Sequence, residues 1–305
     1  MPRLFLLIGL LGLAASFHGR AQTPDTQAQS RELQNLGSLA APSSDASDET
    51  QDEFGQIVPL QRNQPWSITP FASFRFFTTS NALLAERDET GDTVWVETQG
   101  LTAAYRVMPE LRVAASYNYQ LTRYDQTSFL DTDGQNADFN ASYQLPYNLQ
   151  LTAGLRGQWL TSPHQDVEVY REGDVYGNLV GTYDVCEDLL WFYGYQFDQK
   201  YANPRAFDRQ EHTVFTGLSY RWCPDVVSQL VLRQNWQLYK FRAPSAFDSA
   251  RQDWISSGSL QTIWQPLEWL EVTAFALGVY DNTVNADRDY NVYNLGGELR
   301  LFWKF

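Results

Sequence analysis

The chain has 305 residues and a formal charge of −14, which excludes a nucleic-acid partner, since that demands a basic footprint. Aromatic residues make up 15% of it, with 10 Trp and 17 Tyr, yet its mean hydropathy is −0.41. The apolar side chains must therefore alternate with polar ones, and no stretch is apolar for the ~18 residues that a membrane helix requires.

The first element is a secretory leader. Arg3 supplies a positive start, Leu4 to Ala15 form an apolar stretch, and Gly19, Arg20 and Ala21 set small residues around a cut after Ala21. That layout is too short to span and reads as a signal peptide over residues 1–21. Residues 22–64 follow as an acidic linker of Gln, Ser, Asp, Glu, Thr and Pro with its centre between Pro42 and Glu53. Such a segment buries too little apolar surface to fold, and a periplasmic tether is the reading.

From Pro65 onward a repeat begins. Short turns marked by Pro109, Pro146, Glu187, Pro224 and Pro266 recur with a period of roughly forty residues. Longer polar segments lie between them: Asn81 to Asp92, Asp125 to Gln135, Pro163 to Asp174, Ala202 to Arg209, Arg242 to Arg251 and Asn282 to Asp289. Tight turns on one side and longer loops on the other describe an all-β, up-and-down antiparallel transmembrane barrel over residues 65–305. Six hairpin units of two strands give about 12 strands, with the short turns in the periplasm.

Alternation supports this strand by strand, because successive side chains point to opposite faces. After Pro109, Leu111, Val113, Ala115, Tyr117, Tyr119 and Leu121 share one face, and Arg112, Ser116, Asn118 and Gln120 the other. After Pro146, Leu149, Leu151, Ala153, Leu155 and Trp159 face out against Gln150, Thr152 and Arg156. These runs exceed the ~5–6 residues of a soluble strand and suit the ~9–11 of a tilted spanning one. Aromatic residues gather at the turn ends (Trp66, Tyr105, Tyr143, Tyr183, Trp222, Trp264, Trp303) and toward the loops (Trp159, Trp236, Trp254, Tyr280), as two interfacial girdles would require.

The chain ends Leu299, Arg300, Leu301, Phe302, Trp303, Lys304, Phe305. Its alternate apolar residues and terminal Phe resemble the C-terminal assembly signal of bacterial outer-membrane barrels. Residues 65–305 as a whole are similar to uncharacterised porin-like barrel families. The resemblance implies a Gram-negative outer membrane, recognition by the barrel-assembly machinery through Trp303 and Phe305, and contact with outer-membrane lipids and lipopolysaccharide.

No constellation for catalysis emerges. A barrel phospholipase needs His and Ser two residues apart, but Val214 follows His212, and the nucleophile is missing. His164 is the one loop histidine placed where a barrel protease would use one. Asp131 to Gly134 opens like a calcium loop but lacks the later ligands. Cys186 and Cys223 stand in successive tight turns with a whole strand between them. Two inter-strand steps of ~4.8 Å exceed disulfide reach, although flexible turns leave a bridge open. No enzyme activity, cofactor or metal is expected.

The lumen remains. Parity turns Arg75, Arg156 and Arg233 inward at mid-height, with Arg106, Arg112, Arg221, Arg300 and Lys304 inward near the periplasmic end. Inward acids read as fewer: Asp138, Glu271 and Glu298. Inward Gly100, Gly154, Gly194, Gly217 and Gly296 leave room for a water path. The expectation is a narrow porin-like channel for small hydrophilic solutes, leaning to anions, lined by Arg75, Arg156, Arg233, Glu271, Glu298 and Arg300. The alternative is a non-transporting structural or docking barrel whose tether binds an unknown periplasmic partner.

Overall fold

The structure, a computed structural model, describes residues 49–51, 57–59, 65–85, 89–164, 167–240, 251–283 and 289–305. The signal peptide (1–21), most of the 22–64 linker and parts of the longer loops lie outside the described residues. Two short strands, β1 (Glu49–Gln51) and β2 (Ile57–Pro59), pair with Thr50 opposite Val58.

Then come twelve long strands. They are β3 (Trp66–Thr79), β4 (Asp92–Met108), β5 (Leu111–Tyr124), β6 (Thr132–Leu145), β7 (Leu149–Ser162), β8 (Val167–Cys186), β9 (Leu189–Asn203), β10 (Arg209–Cys223), β11 (Val226–Tyr239), β12 (Gln252–Leu267), β13 (Leu270–Thr283) and β14 (Tyr290–Phe302). Each pairs antiparallel with its sequence neighbour, and β14 returns to β3, so the sheet closes into a barrel. Closure leaves no open edge, which is the one way a sheet can satisfy its backbone in lipid.

Strands reverse at the turns expected at Pro109, Pro146, Glu187 and Pro224, while the fifth reversal falls at Glu268 and Trp269, just past Pro266, which is still in β12. In the β6–β7 turn, Tyr147 and Asn148 take left-handed φ values of 67° and 55°, a conformation that Asn tolerates better than most residues. Several loops are shorter than polarity suggested. β8 begins at Val167, inside the expected loop of Pro163 to Asp174, and β6 begins at Thr132, inside that of Asp125 to Gln135. Polar residues read as loop, yet on a strand facing a polar lumen they are compatible with regular structure.

The two faces are inverted relative to a soluble protein. Phe74, Phe76, Leu151, Leu155, Leu218, Leu260 and Leu295 are exposed on the outside, while Gln229, Gln237, Asp198, Glu211, Asp253 and Asp281 are buried inside. Acidic residues are almost never fully buried unless paired, and an exposed belt of Leu and Phe demands a hydrocarbon solvent. All seven turn-end aromatics named above are exposed on the outer wall. On the loop side, Trp236 packs edge-on against Trp254 at 5.9 Å.

The inward glycines do not hold open a path. Each stands directly opposite an aromatic residue: Gly100 and Phe71, Gly154 and Tyr176, Gly194 and Phe215, Gly217 and Phe192, Gly296 and Phe77. At Gly194 and Gly217 an added Cβ would lie 2.3 Å from the opposing ring. At Gly100, Gly154, Gly194 and Gly217 the missing side chain makes room for a neighbour's ring, a known way of covering glycine in sheets, and at Gly296 it admits the β3 main chain at Phe76 and Phe77. The space that the sequence assigned to water is filled by aromatic rings at four of these glycines and by main chain at Gly296.

Candidate functional site

The barrel's chemistry lies on its inner wall, and the register sets which groups meet. At mid-height on β3, β14 and β3 pair Glu298 with Arg75, and Arg75 Nε donates to Glu298 Oε2 at 2.8 Å. The Arg75 guanidinium also lies 5.5 Å from the Phe275 ring. One step lower, Arg300 is opposite Glu271 and stacks 4.7 Å over Phe71. A cavity of about 20 Å³ borders this pair of rungs, lined by Ser73, Thr98 and Gln120 among others. That is room for about one or two waters.

Further out, a denser network spans β6 to β10. Asp138, Arg156 and Asp174 form one rung with Lys200 and Arg209. Arg156 lies 3.6 Å from Asp138 and 3.9 Å from Asp174, and 4.7 Å over the Tyr176 ring. Arg209 Nη1 donates to Glu172 Oε2 at 3.0 Å, its Nε donates to Glu211, and Lys200 Nζ is 2.9 Å from Glu211. Tyr170 donates its hydroxyl proton to Glu172. Arg209 and Glu211 are 4% and 2% exposed, so this network fills the wall where it stands. Arg233 is on β11, opposite Phe215 of β10 and Ser257 of β12.

No family model and no curated protein matches the sequence. Solved structures do. The COG4313 outer membrane channel from Pseudomonas putida F1 aligns over 79% of this chain and 97% of its own, with 10% identity and a TM-score of 0.52. The fold is that of a bacterial outer-membrane β-barrel. The translocator domain of the autotransporter NalP from Neisseria meningitidis aligns over 92% of this chain and 96% of its own (11% identity, TM-score 0.44). The KdgM porin in complex with disordered oligogalacturonate aligns over 75% and 97% (8% identity, TM-score 0.40).

The structure of this outer-membrane barrel corrects one expectation about its wall. Inward acids are not few, because Glu172, Asp174, Asp198, Glu211, Asp253 and Asp281 join Asp138, Glu271 and Glu298 inside. Strand length is the reason. β8 runs for 20 residues, so Glu172 and Asp174 are strand residues on the face of Tyr170 and Tyr176, and not part of a loop. The signal was present in the sequence: Tyr170, Glu172, Asp174 and Tyr176 alternate at every second position. The wall is divided along its axis. Arg106, Arg112, Arg221, Arg300 and Lys304 sit toward the periplasmic turns, and most of the acids sit in the outer half.

The remaining candidates resolve into structural contacts. His212 accepts or donates at 2.7 Å with the Tyr195 hydroxyl on the outer wall. His164 Nε2 lies 2.8 Å from the Ser128 carbonyl and 3.2 Å from Asp131, tying two loops together. Asp131 also accepts from the Tyr124 backbone and Asp133 from Arg123, so both are occupied by the protein itself. Cys186 and Cys223 are free, exposed thiols. Among the described residues, no group of three or more His, Cys, Asp or Glu is arranged to hold a metal.

Trp303 and Phe305 complete the seam. Trp303 N donates to Pro70 O at 3.1 Å, Phe305 N to Ile68 O at 3.0 Å, and Ile68 N returns a bond to Phe305 O at 3.2 Å. Phe305→Ala keeps these backbone bonds but removes the exposed ring. If the ring is read by the assembly machinery, the variant should reach the outer membrane at a several-fold lower level, scored by membrane fractionation. Normal levels would leave Phe305 as a seam residue without a signalling role.

Proposed function

We propose that the barrel is a narrow, porin-like channel for small hydrophilic solutes and not an enzyme. The observation that supports this best is a set of inward polar atoms with no hydrogen-bond partner: Asn178 Oδ1, Asn235 Oδ1, Asn294 Oδ1 and both Asp174 carboxylate oxygens. Buried polar atoms are nearly always bonded to protein or to water. Such atoms, distributed from β8 round to β14, give the inner wall polar positions suited to ordered waters between its side chains. Twelve strands also enclose more space than the eight of a side-chain-filled barrel and less than the 16–18 of a general porin.

The lean toward anions draws its support from the periplasmic mouth, where Arg106, Arg112, Arg221, Arg300 and Lys304 gather. The mid-height residues contribute less, since Arg75 and Arg156 already have carboxylate neighbours. A charged ring in a low-dielectric wall raises the local concentration of counter-ions. The second reading, a structural barrel, is favoured by the tight Arg209–Glu172–Glu211–Lys200 network.

Planar bilayers separate the two. The purified protein should give small discrete openings, and its anion preference should weaken when Arg106, Arg112 and Arg221 are replaced by Gln. The preference should also shrink toward 1 M salt, where the Debye length is ~3 Å. A silent bilayer with correctly folded protein would decide for the structural barrel.

A further inference from the structure

We propose that residues 81–85 of the loop between β3 and β4 are an apolar gate, seated inside the outer mouth of the lumen. This stretch carries Ala82, Leu83 and Leu84 in a row, and its apolar side chains turn onto the inner wall instead of into water. Ala82 is 2% exposed and shares a buried cluster with Phe77, Val94, Val96, Tyr124, Leu130 and Phe275, against which Leu83 packs. Leu84 packs against a second cluster, of Ile255, Leu277, Val279, Tyr290 and Val292. Phe77 and Val292 are inner-wall residues, since their chain neighbours Phe76 and Tyr293 are exposed outside. Together the clusters run across β12, β13, β14, β3, β4 and β5, which are consecutive strands of the ring.

One side chain anchors this seat. Asn81 is fully buried, and its amide donates to the Ala85 carbonyl at 2.8 Å and to the Asn291 carbonyl of β14 at 3.2 Å. Its Oδ1 accepts from Ala85 N at 3.1 Å, and Ala82 N donates to Thr90 O at 2.8 Å. Leu84 has a φ of 50°, a left-handed conformation that a residue with a Cβ keeps only where its surroundings hold it. The packing of its side chain on the second cluster supplies that hold. Backbone strain of this kind favours a second arrangement once the hold is lost.

Position makes the stretch a gate and not a piece of wall. The ionic network of β6 to β10 is built on strands and stays where the barrel holds it. Residues 81–85 lie beyond the last β3–β4 pair, Thr79 with Asp92, so they can lift without breaking the sheet. While they are seated, their side chains and the wall beneath them form a dry stretch, and an apolar constriction closes a pore by dewetting. Lifting exposes apolar wall to water, which makes the closed state the favoured one and the openings brief. The gate rests on the channel reading above and gives its openings their cause.

The test compares the mean current of the purified protein in planar bilayers for the wild type, Leu83→Ser/Leu84→Ser and Asn81→Ala. The double variant makes the seat polar at the same loop length, and Asn81→Ala removes the anchor while keeping both leucines. Heat-modifiability on unboiled gels shows that each barrel has closed, and if one variant does not fold the other carries the comparison. Each variant should pass about tenfold more mean current than the wild type, because it raises an open population that is normally minor. A silent wild type beside conducting variants supports the gate equally. Measurable wild-type current that is unchanged or lower in the variants overturns the gate and leaves the channel standing. Silence in all three folded proteins sinks the channel reading and the gate with it.

Discussion

Arg209→Met is expected to cost the folded barrel about 3–5 kcal/mol, the usual penalty for removing one partner of a buried ion pair. Arg209 is 4% exposed. It holds Glu172 through Nη1 at 3.0 Å and Glu211 through Nε, and its Nη1 lies 3.3 Å from the Tyr170 hydroxyl. Met fills similar volume but leaves two carboxylates facing each other, with Lys200 alone to serve them at 3.8 and 2.9 Å. Urea unfolding in lipid vesicles should show the loss, and Glu211→Gln on the same background should return part of it. Arg123→Met is the control. Its pair with Asp133 is at the rim, with side chains 28% and 23% exposed, and such pairs contribute about 0–1 kcal/mol. A loss at Arg209 no larger than at Arg123 would mean that bulk water screens the network and that the lumen is wider than its burial implies.

Gly296→Val is expected to prevent stable closure. An added Cβ at Gly296 would lie 2.2 Å from the Phe76 carbonyl oxygen, 2.4 Å from Phe77 Cβ and 2.6 Å from Phe77 Cα. These atoms belong to, or sit directly on, the β3 backbone, so no rotamer change can relieve the clash. Overpacking typically costs 1–3 kcal/mol where side chains can yield, and here the strand itself must move. The clash falls on the seam between β14 and β3, where nine residue pairs join the last strand to the first. The variant should lack the folded, heat-modifiable band on unboiled gels and be depleted from the outer membrane. Gly173→Val should be silent, because nothing lies within 4 Å of its added Cβ. Normal heat-modifiability of Gly296→Val would show that the seam has slack.

The barrel was legible in the sequence because its signals are local. Alternation of period two fixes which face of a strand each residue occupies, so Leu151 and Leu155 outside and Arg156 inside follow from position alone. The recurring turns at Pro109, Pro146, Glu187, Pro224 and Pro266 give the strand count, and an even count brings the last strand back to the first. The terminal alternation of Leu299, Leu301, Trp303 and Phe305 belongs to the same class of signal. Parity fixes the face but not the height of one strand against the next. Height comes from the hydrogen-bond register accumulated around the closed ring, including the shift between Leu160 and Thr161 where β7 meets β8. Only that register brings Glu172 to Arg209 across 37 residues of chain, and Arg75 to Glu298 across 223. It also sets Phe215 over Gly194 and Phe192 over Gly217, turning expected gaps into packed rings. Faces are decided by each residue's neighbours in sequence, whereas ion partners and free space are decided by the whole circumference.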